Sequence, residues 1–514
     1  MLLKDGAIFI VQTVFVYRLS KEFLGASGLF SSILNVLNIA ELGIGNAISY
    51  ALYRPLAEGD TEQVKALMAM YRKAYLAIGL FILGIGLCLI PILPYIVKDR
   101  IEGLNLNVLY LLYLINSSVS YFFFSYKSTL LIADQKKYVV NLWSTVISLL
   151  TSLAQILILL MMPARSANTF YTYTVAGILG VIVTNLFLAN KVDSRYPYIK
   201  EKKYVSVLPE TRKSIFLNIG ALSISRISRS ALDSADSIII SATLAGGLAL
   251  IGKYTNYTLI VAFVNSVFTM ISASIVPSLG NYIEVEGKEK SLKLYSCMNM
   301  IFTWMYGFCF ICLWVLIDPF IGGIWINEEW LLPEMVTSLL CINFMINGMD
   351  FTPMKFIQAA GLYWQARYRY VISAILNVGL SLLFGVAFRW GLEGVVFATT
   401  LAMIGMTCLD PYIVFRKFFG RGCLKIYIQY IAYFFAVFIT GILTVSLCRR
   451  LTPEYTLANF ILRILICIAV PNTIWFILMF RTKVFKETFS LLKKYALGLS
   501  KGMKHGFIHR EEMK

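Results

Sequence analysis

Fourteen apolar runs constrain this chain more than any other feature. They fall at approximately 6–17, 28–52, 74–97, 108–132, 139–161, 169–189, 214–241, 254–279, 295–325, 331–356, 370–388, 392–414, 426–447 and 457–480. In a bilayer, backbone N–H and C=O groups must be satisfied within the protein, so apolar runs of about 20 residues fold as spanning helices. Hydrophobic residues at 58%, charged residues at 14% and a mean hydropathy of +0.73 exclude an ordinary soluble domain; the expectation is an all-α polytopic membrane protein. The ninth run is long enough to include bent or interfacial ends. The first, Gly6 to Tyr17, is short for a core about 30 Å thick. Either a start site placed late or a helix that is short in fact accounts for it, and the topology below takes it to cross.

The charge distribution orients the bundle. The 46 Lys and Arg outnumber the 28 Asp and Glu, for a formal charge of +18. Connections on one side carry about 32 of the basic residues and those on the other about 8, which by the positive-inside rule puts both termini in the cytoplasm. The basicity is a topology signal, so nucleic acid is not an expected partner. No connection is large enough for a catalytic domain; the longest internal one, Asn190 to Lys213, is short. Both histidines, His505 and His509, lie in the tail. Cys309 and Cys312 form a CxxC inside the apolar run FCFICLW. No catalytic residue, metal site, disulfide or cofactor is expected. The tail from Arg481 alternates bulky apolar and basic residues, and Phe485, Phe489, Leu492 and Tyr495 fit an amphipathic helix on an anionic leaflet.

The chain repeats itself. An offset of 228 residues lays Glu58-Gly59 on Glu286-Gly287 and Lys127 on Lys355, while Gly25 and Gly252 are 227 apart. Two six-helix lobes follow, 1–205 (helices 1–6) and 206–420 (helices 7–12), then helices 13–14 at 421–480 and a basic tail at 481–514. Both lobes begin on the same side, so the repeat is parallel, about an axis along the membrane normal.

Polar residues inside the apolar runs mark the candidate site. In NIGALSISRISRSALDSADSIIIS, Asn218, Arg226, Arg229, Asp233 and Asp236 share an arc of about 80° on one helix. Four ionisable groups in lipid are costly unless they face water or each other. A ladder in which Arg229 and Asp233 neutralise one another is the plainer alternative. Asn35 and Asn38 stand with Ser31, Asn46 and Ser49 on a polar face of the second run. Asn116, Ser120 and Lys127 share a face of the fourth, and Asn343, Asn347 and Asp350 one of the tenth. Singly, such residues are interhelical glue; together they indicate a polar cavity between the lobes. Arg226, Arg229, Lys127 and Lys355 give it a basic balance suited to phosphate or pyrophosphate. Asn35 and Asn38 are further binding candidates, while Asp233 and Asp236 are candidates for coupling to an ion of unknown identity or for pairing with the arginines.

The stretches AELGIGNAISYALYRPLAEGDTEQVKALMAMYRKAY (40–75), LLIADQKKYVVN (130–141) and DSADSIIISATLAGGLALIGKYTNY (233–257) resemble polysaccharide flippases of the Wzx type. These belong to the multidrug/oligosaccharidyl-lipid/polysaccharide exporter (MOP) superfamily, and the resemblance runs through nearly the whole chain except the first helix. It implies a MATE- and MurJ-like fold of two pseudo-symmetric lobes around a cationic cavity. It also implies movement of undecaprenyl-pyrophosphate-linked oligosaccharides across the bacterial cytoplasmic membrane for O-antigen, capsule or exopolysaccharide. The implied partners are that lipid-linked substrate, membrane lipids and other polysaccharide-assembly proteins. In related lipid II flippases helices 13 and 14 form a groove for the lipid tail, which the last two helices here could match. A drug/cation antiporter of the same superfamily is the alternative; such exporters usually stop at twelve helices and favour acidic cavities. A membrane enzyme acting on lipid-linked glycans would need a large outer loop, which is lacking.

Overall fold

The computed structural model describes residues 2–38, 44–99, 101–201, 230, 232, 234–490 and 493, and among these every regular element is a helix. Twelve of the fourteen apolar runs coincide with described helices; the second is described on either side of 39–43, and the seventh only in its later part. Eight described helices are each long and apolar enough to cross a membrane, or nine when Leu106–Phe122 and Ser125–Ala133, bent by 46°, are taken as one broken span. Their outer faces stay apolar where no neighbour covers them, as at Leu80, Phe81, Leu150 and Ile428. That is the pattern of a multi-pass membrane protein, whose helix exteriors meet lipid instead of water.

Helix breaks follow local chemistry. The first helix, Leu2–Arg18, is anchored at its end by Arg18. Its Nε donates to Leu159 O at 2.8 Å and its Nη2 to Met162 O at 2.7 Å. These carbonyls end the Lys137–Met161 helix, where a cation also meets the negative end of the helix dipole. The break in the fourth run follows Phe124, a non-glycine residue at φ 58. The eighth and ninth runs form one helical stretch, Gly247–Pro319, interrupted at Gly287 by φ 74 and ψ 179. Its repeat mate Gly59 has φ 72 and separates the Ile44–Glu58 and Thr61–Leu89 helices. The two glycines paired by the offset therefore make left-handed breaks at equivalent places, a conformation glycine adopts without a Cβ penalty.

Packing divides the chain into two compact units: Met1–Val267 with Glu328–Leu339 and Tyr363–Met406, and Phe268–Asn327 with Leu340–Leu362 and Thr407–Lys514. This is a division by contact and differs from the lobes 1–205 and 206–420 expected from the repeat.

In the first unit the Lys21–Leu37 helix crosses the start of Gly247–Pro319 at glycines. A Cβ on Gly25 would fall 1.8 Å from Leu248 O, and one on Gly252 would fall 2.1 Å from Lys21 O. Gly28, one turn on, would meet Thr255, its own mate at the same offset of 227. Each chain position thus touches the repeat equivalent of its partner's position, as across a two-fold axis.

The second unit is centred on Tyr295, fully buried, whose hydroxyl lies 2.8 Å from that of Tyr430. Phe356, Phe415 and Phe419 surround its ring at 5.0, 5.2 and 6.0 Å.

Candidate functional site

Within the first unit a recess of about 460 Å³ opens between the second and fourth apolar runs. The Lys21–Leu37 helix and its C-cap supply Ser31, Leu34, Asn35 and Asn38, spaced to share one side of a helix. The Leu106–Phe122 helix supplies Tyr113, Asn116 and Ser117, and Ser234 enters from the seventh run. Ser117 Oγ donates to Asn38 Oδ1 at 2.7 Å, and Asn35 Nδ2 donates to Ser234 Oγ at 3.2 Å. Ser230 Oγ donates to the Asn35 carbonyl at 2.9 Å, which fastens the two runs together. The Asn116 side-chain carbonyl is buried without a hydrogen-bond partner. Among the described residues this lining holds hydroxyls and amides but no carboxylate, ammonium or guanidinium. Such a surface recognises neutral polyhydroxylated groups through hydrogen bonds.

A second polar cluster surrounds Asp236, which is buried. Thr399 Oγ1 lies 2.8 and 3.0 Å from its two carboxylate oxygens, and Tyr254 OH donates to Oδ2 at 3.3 Å. Asn377 Nδ2 donates to Thr399 Oγ1 at 2.7 Å, leaving the fully buried Asn377 Oδ1 with no hydrogen-bond partner. The Val395 carbonyl is 3.3 Å from Thr399 Oγ1. Carboxylate, amide and hydroxyl groups are thus linked in one buried cluster through Thr399, and all three offer oxygens of the kind hard cations take. Among the described residues no group of three His, Cys, Asp or Glu side chains could hold a metal ion.

Of the residues expected from the sequence, Asn35 and Asn38 line the recess. Arg226, Arg229 and Asp233 lie outside the described residues, as do Asn218 and Glu41. The one described ionisable residue of that stripe, Asp236, turns to Tyr254 and Thr399, while Ser234 reaches the recess. Lys127 is buried and donates to Asp193 Oδ1 at 2.6 Å, with its ammonium 4.9 Å from the Phe124 ring centroid. Its mate Lys355 stands 4.9 Å from the Phe351 ring. Lys127 is not part of the recess lining, and Lys355 belongs to the second unit. Sequence reasoning missed Tyr113, Ser117 and Ser234, although Ser117 adjoins the Asn116 already singled out. It also missed Asn377 and Thr399, although Ser373, Asn377 and Ser381 fall four residues apart on one helix face and Thr399 adjoins Thr400.

The fold is that of MOP-superfamily transporters. A lipid II flippase MurJ in an inward closed conformation superposes with a TM-score of 0.62 at 15% identity, covering 93% of this chain and 99% of that one. An inward-facing multidrug resistance MATE family transporter gives 0.60 at 17% identity, covering 80% and 94%. A MOP superfamily transporter from Pyrococcus furiosus, described as having a binding pocket of reversed polarity, gives 0.52 at 16%, covering 81% and 94%. No family model and no curated protein matches the sequence.

Proposed function

We propose that this protein is a flippase that moves undecaprenyl-pyrophosphate-linked oligosaccharide units across the bacterial cytoplasmic membrane for surface polysaccharide assembly. The observation that carries this reading is the neutral, hydroxyl- and amide-lined recess formed by Ser31, Asn35, Asn38, Asn116, Ser117 and Ser234. Sugar hydroxyls both donate and accept hydrogen bonds, so they complement such a lining, whereas an organic cation would gain no counter-charge there. Arg226 and Arg229 belong to the same run as Ser234 and supply the positive charge a pyrophosphate needs.

Two further features support it. The structural match to a lipid II flippase extends over more of this chain, 93%, than the match to a MATE transporter, 80%. An apolar cavity of about 510 Å³, lined by Met300, Trp304, Trp475, Phe476, Phe485 and Phe489, lies where the last helix meets the tail, and suits part of a lipid chain.

With both termini cytoplasmic, the Gly25–Gly252 crossing sits toward the outer surface and the recess lies deeper along the same helix. Alternating access then consists of the two lobes parting at this crossing. Ion coupling is assigned to the Asp236–Asn377–Thr399 cluster.

The test is reconstitution. Proteoliposomes containing the protein should move a fluorescent undecaprenyl-pyrophosphate-linked oligosaccharide between leaflets, and a null mutant of the source bacterium should lose surface polysaccharide. The buried carboxylate of Asp236 favours the second reading, a drug/cation antiporter. Transport of organic cations without movement of the glycolipid would establish that reading instead.

A further inference from the structure

Arg463 is the only charged residue of the Leu457–Met479 helix, and it is buried, with 6% of its surface exposed. Its Nε donates to Thr452 Oγ1 at 2.8 Å and its Nη2 to the Thr452 carbonyl. Thr452 is the C-cap of Leu424–Leu451, so the guanidinium satisfies an orphan acceptor at the negative end of a helix dipole. That capping role uses two of the five guanidinium N–H donors. It leaves the charge itself unmet, because among the described residues Arg463 forms no ion pair. A buried cation held beside helices that cross a membrane is costly without an anion.

The space beside Arg463 is built to receive one. A polar pocket of about 220 Å³ is lined by Arg463 and Arg449, the Asp318 carboxylate, Trp314 and Tyr455. Two guanidiniums against one carboxylate leave a net single positive charge. The volume holds about seven waters at about 30 Å³ each, enough for a phosphate and its ester oxygens. The pocket lies at the turn 452–456 between two membrane-crossing helices, and Tyr455 and Trp314 are the residue types that settle at the headgroup level. The Arg463 guanidinium lies 5.5 Å from the centroid of the Tyr455 ring.

We infer that this pocket binds the phosphodiester of a lipid head group, with Arg463 and Arg449 as its donors. The shared chemistry is that of a phosphate monoanion. The lipid is the source assigned, because the pocket opens among helices that cross the bilayer at the depth of the headgroups.

The experiment uses the purified full-length protein in detergent. Binding of short-chain phosphatidylglycerol, of diacylglycerol with the same chains, and of inorganic phosphate is measured by native mass spectrometry and by thermal shift. Arg463→Gln removes the charge but keeps amide donors for Thr452, and Arg449→Gln serves as the second variant should the first fold poorly. Thr452→Val removes the capping hydroxyl and keeps both guanidiniums. The expected result is a roughly tenfold or greater loss of phosphatidylglycerol affinity in either arginine variant, since charge-assisted hydrogen bonds are worth that much. Thr452→Val should bind within about threefold of wild type, as a neutral hydrogen bond to the arginine is lost and no charge is. Unchanged lipid affinity in both arginine variants would overturn the assignment. Diacylglycerol or inorganic phosphate binding as tightly as phosphatidylglycerol would overturn it equally.

Discussion

Gly252 packs directly on Gly25: a Cβ added to Gly252 would lie 3.3 Å from the Gly25 backbone nitrogen and 2.1 Å from the Lys21 carbonyl oxygen. The reciprocal clash of a Gly25 Cβ with Leu248 O means that neither helix can retreat for one substitution alone. Both obstacles are backbone atoms, so a methyl group has no flexible side chain to displace. Gly25→Ala and Gly252→Ala should each prise the helices apart, at about 1–3 kcal/mol of overpacking. Thermal unfolding of the detergent-solubilised protein reports the change. Either alanine variant should unfold several degrees below wild type; an unchanged midpoint in both would show that the close approach is not required.

The recess offers a steric test. Asn38→Leu removes the acceptor for Ser117 and fills polar space with a branched chain, and Asn35→Leu does the same beside Ser234. Each should lower glycolipid movement about tenfold, because a lost hydrogen bond is worth about 0.5–1.5 kcal/mol and the branched chain takes up the polar space. Protein levels in the membrane should hold. Unaltered flipping in both variants would remove the recess from the substrate path.

Asp236→Asn keeps an acceptor for Thr399 but removes the negative charge, and Thr399→Val removes the hydroxyl that both carboxylate oxygens approach. With coupling assigned to this cluster, transport in Asp236→Asn should no longer respond to an imposed sodium or proton gradient. A response identical to wild type would make the cluster structural.

Lys127 and Asp193 join the bent fourth span to the Ala167–Arg195 helix through a pair with little exposure. Lys127→Met should cost about 1–3 kcal/mol, since it leaves a half-buried carboxylate without its partner. Lys127→Met with Asp193→Leu should recover much of that loss in a thermal-unfolding cycle; an additive outcome would show that the two charges do not depend on each other.

Much of this architecture was legible in the sequence, because membrane helices announce themselves by length and apolarity. The offset that paired Gly59 with Gly287 and Gly25 with Gly252 picked out residues with matching backbone breaks and a reciprocal contact. Asn35 and Asn38 were readable because helical spacing put them on one polar face. The partner of Lys127 was not: Asp193 is 66 residues away, and nothing in local periodicity ties one to the other. Ser234 escaped for a geometric reason. It stands about 100° round the helix from Asp233 and about 200° from Asp236, so it lies off the stripe that drew attention. Asn377 and Thr399 escaped because they carry no charge: the row Ser373, Asn377 and Ser381 is periodic but neutral, and nothing local ties it to Thr399 or Asp236. The cationic character expected of the cavity rests on Arg226 and Arg229, which lie outside the described residues, while the lining that is described is neutral.

That neutrality has an electrical meaning. Carrying one elementary charge through a membrane potential of 100 mV involves about 2.3 kcal/mol of work. A lining of serines, asparagines and a tyrosine would do none of it, however far it moved. On the proposed function, the voltage response would be set by the phosphates of the cargo together with the few charged groups that travel with it, and hardly by the recess. Glycans of different length and composition would cross with the same gating charge.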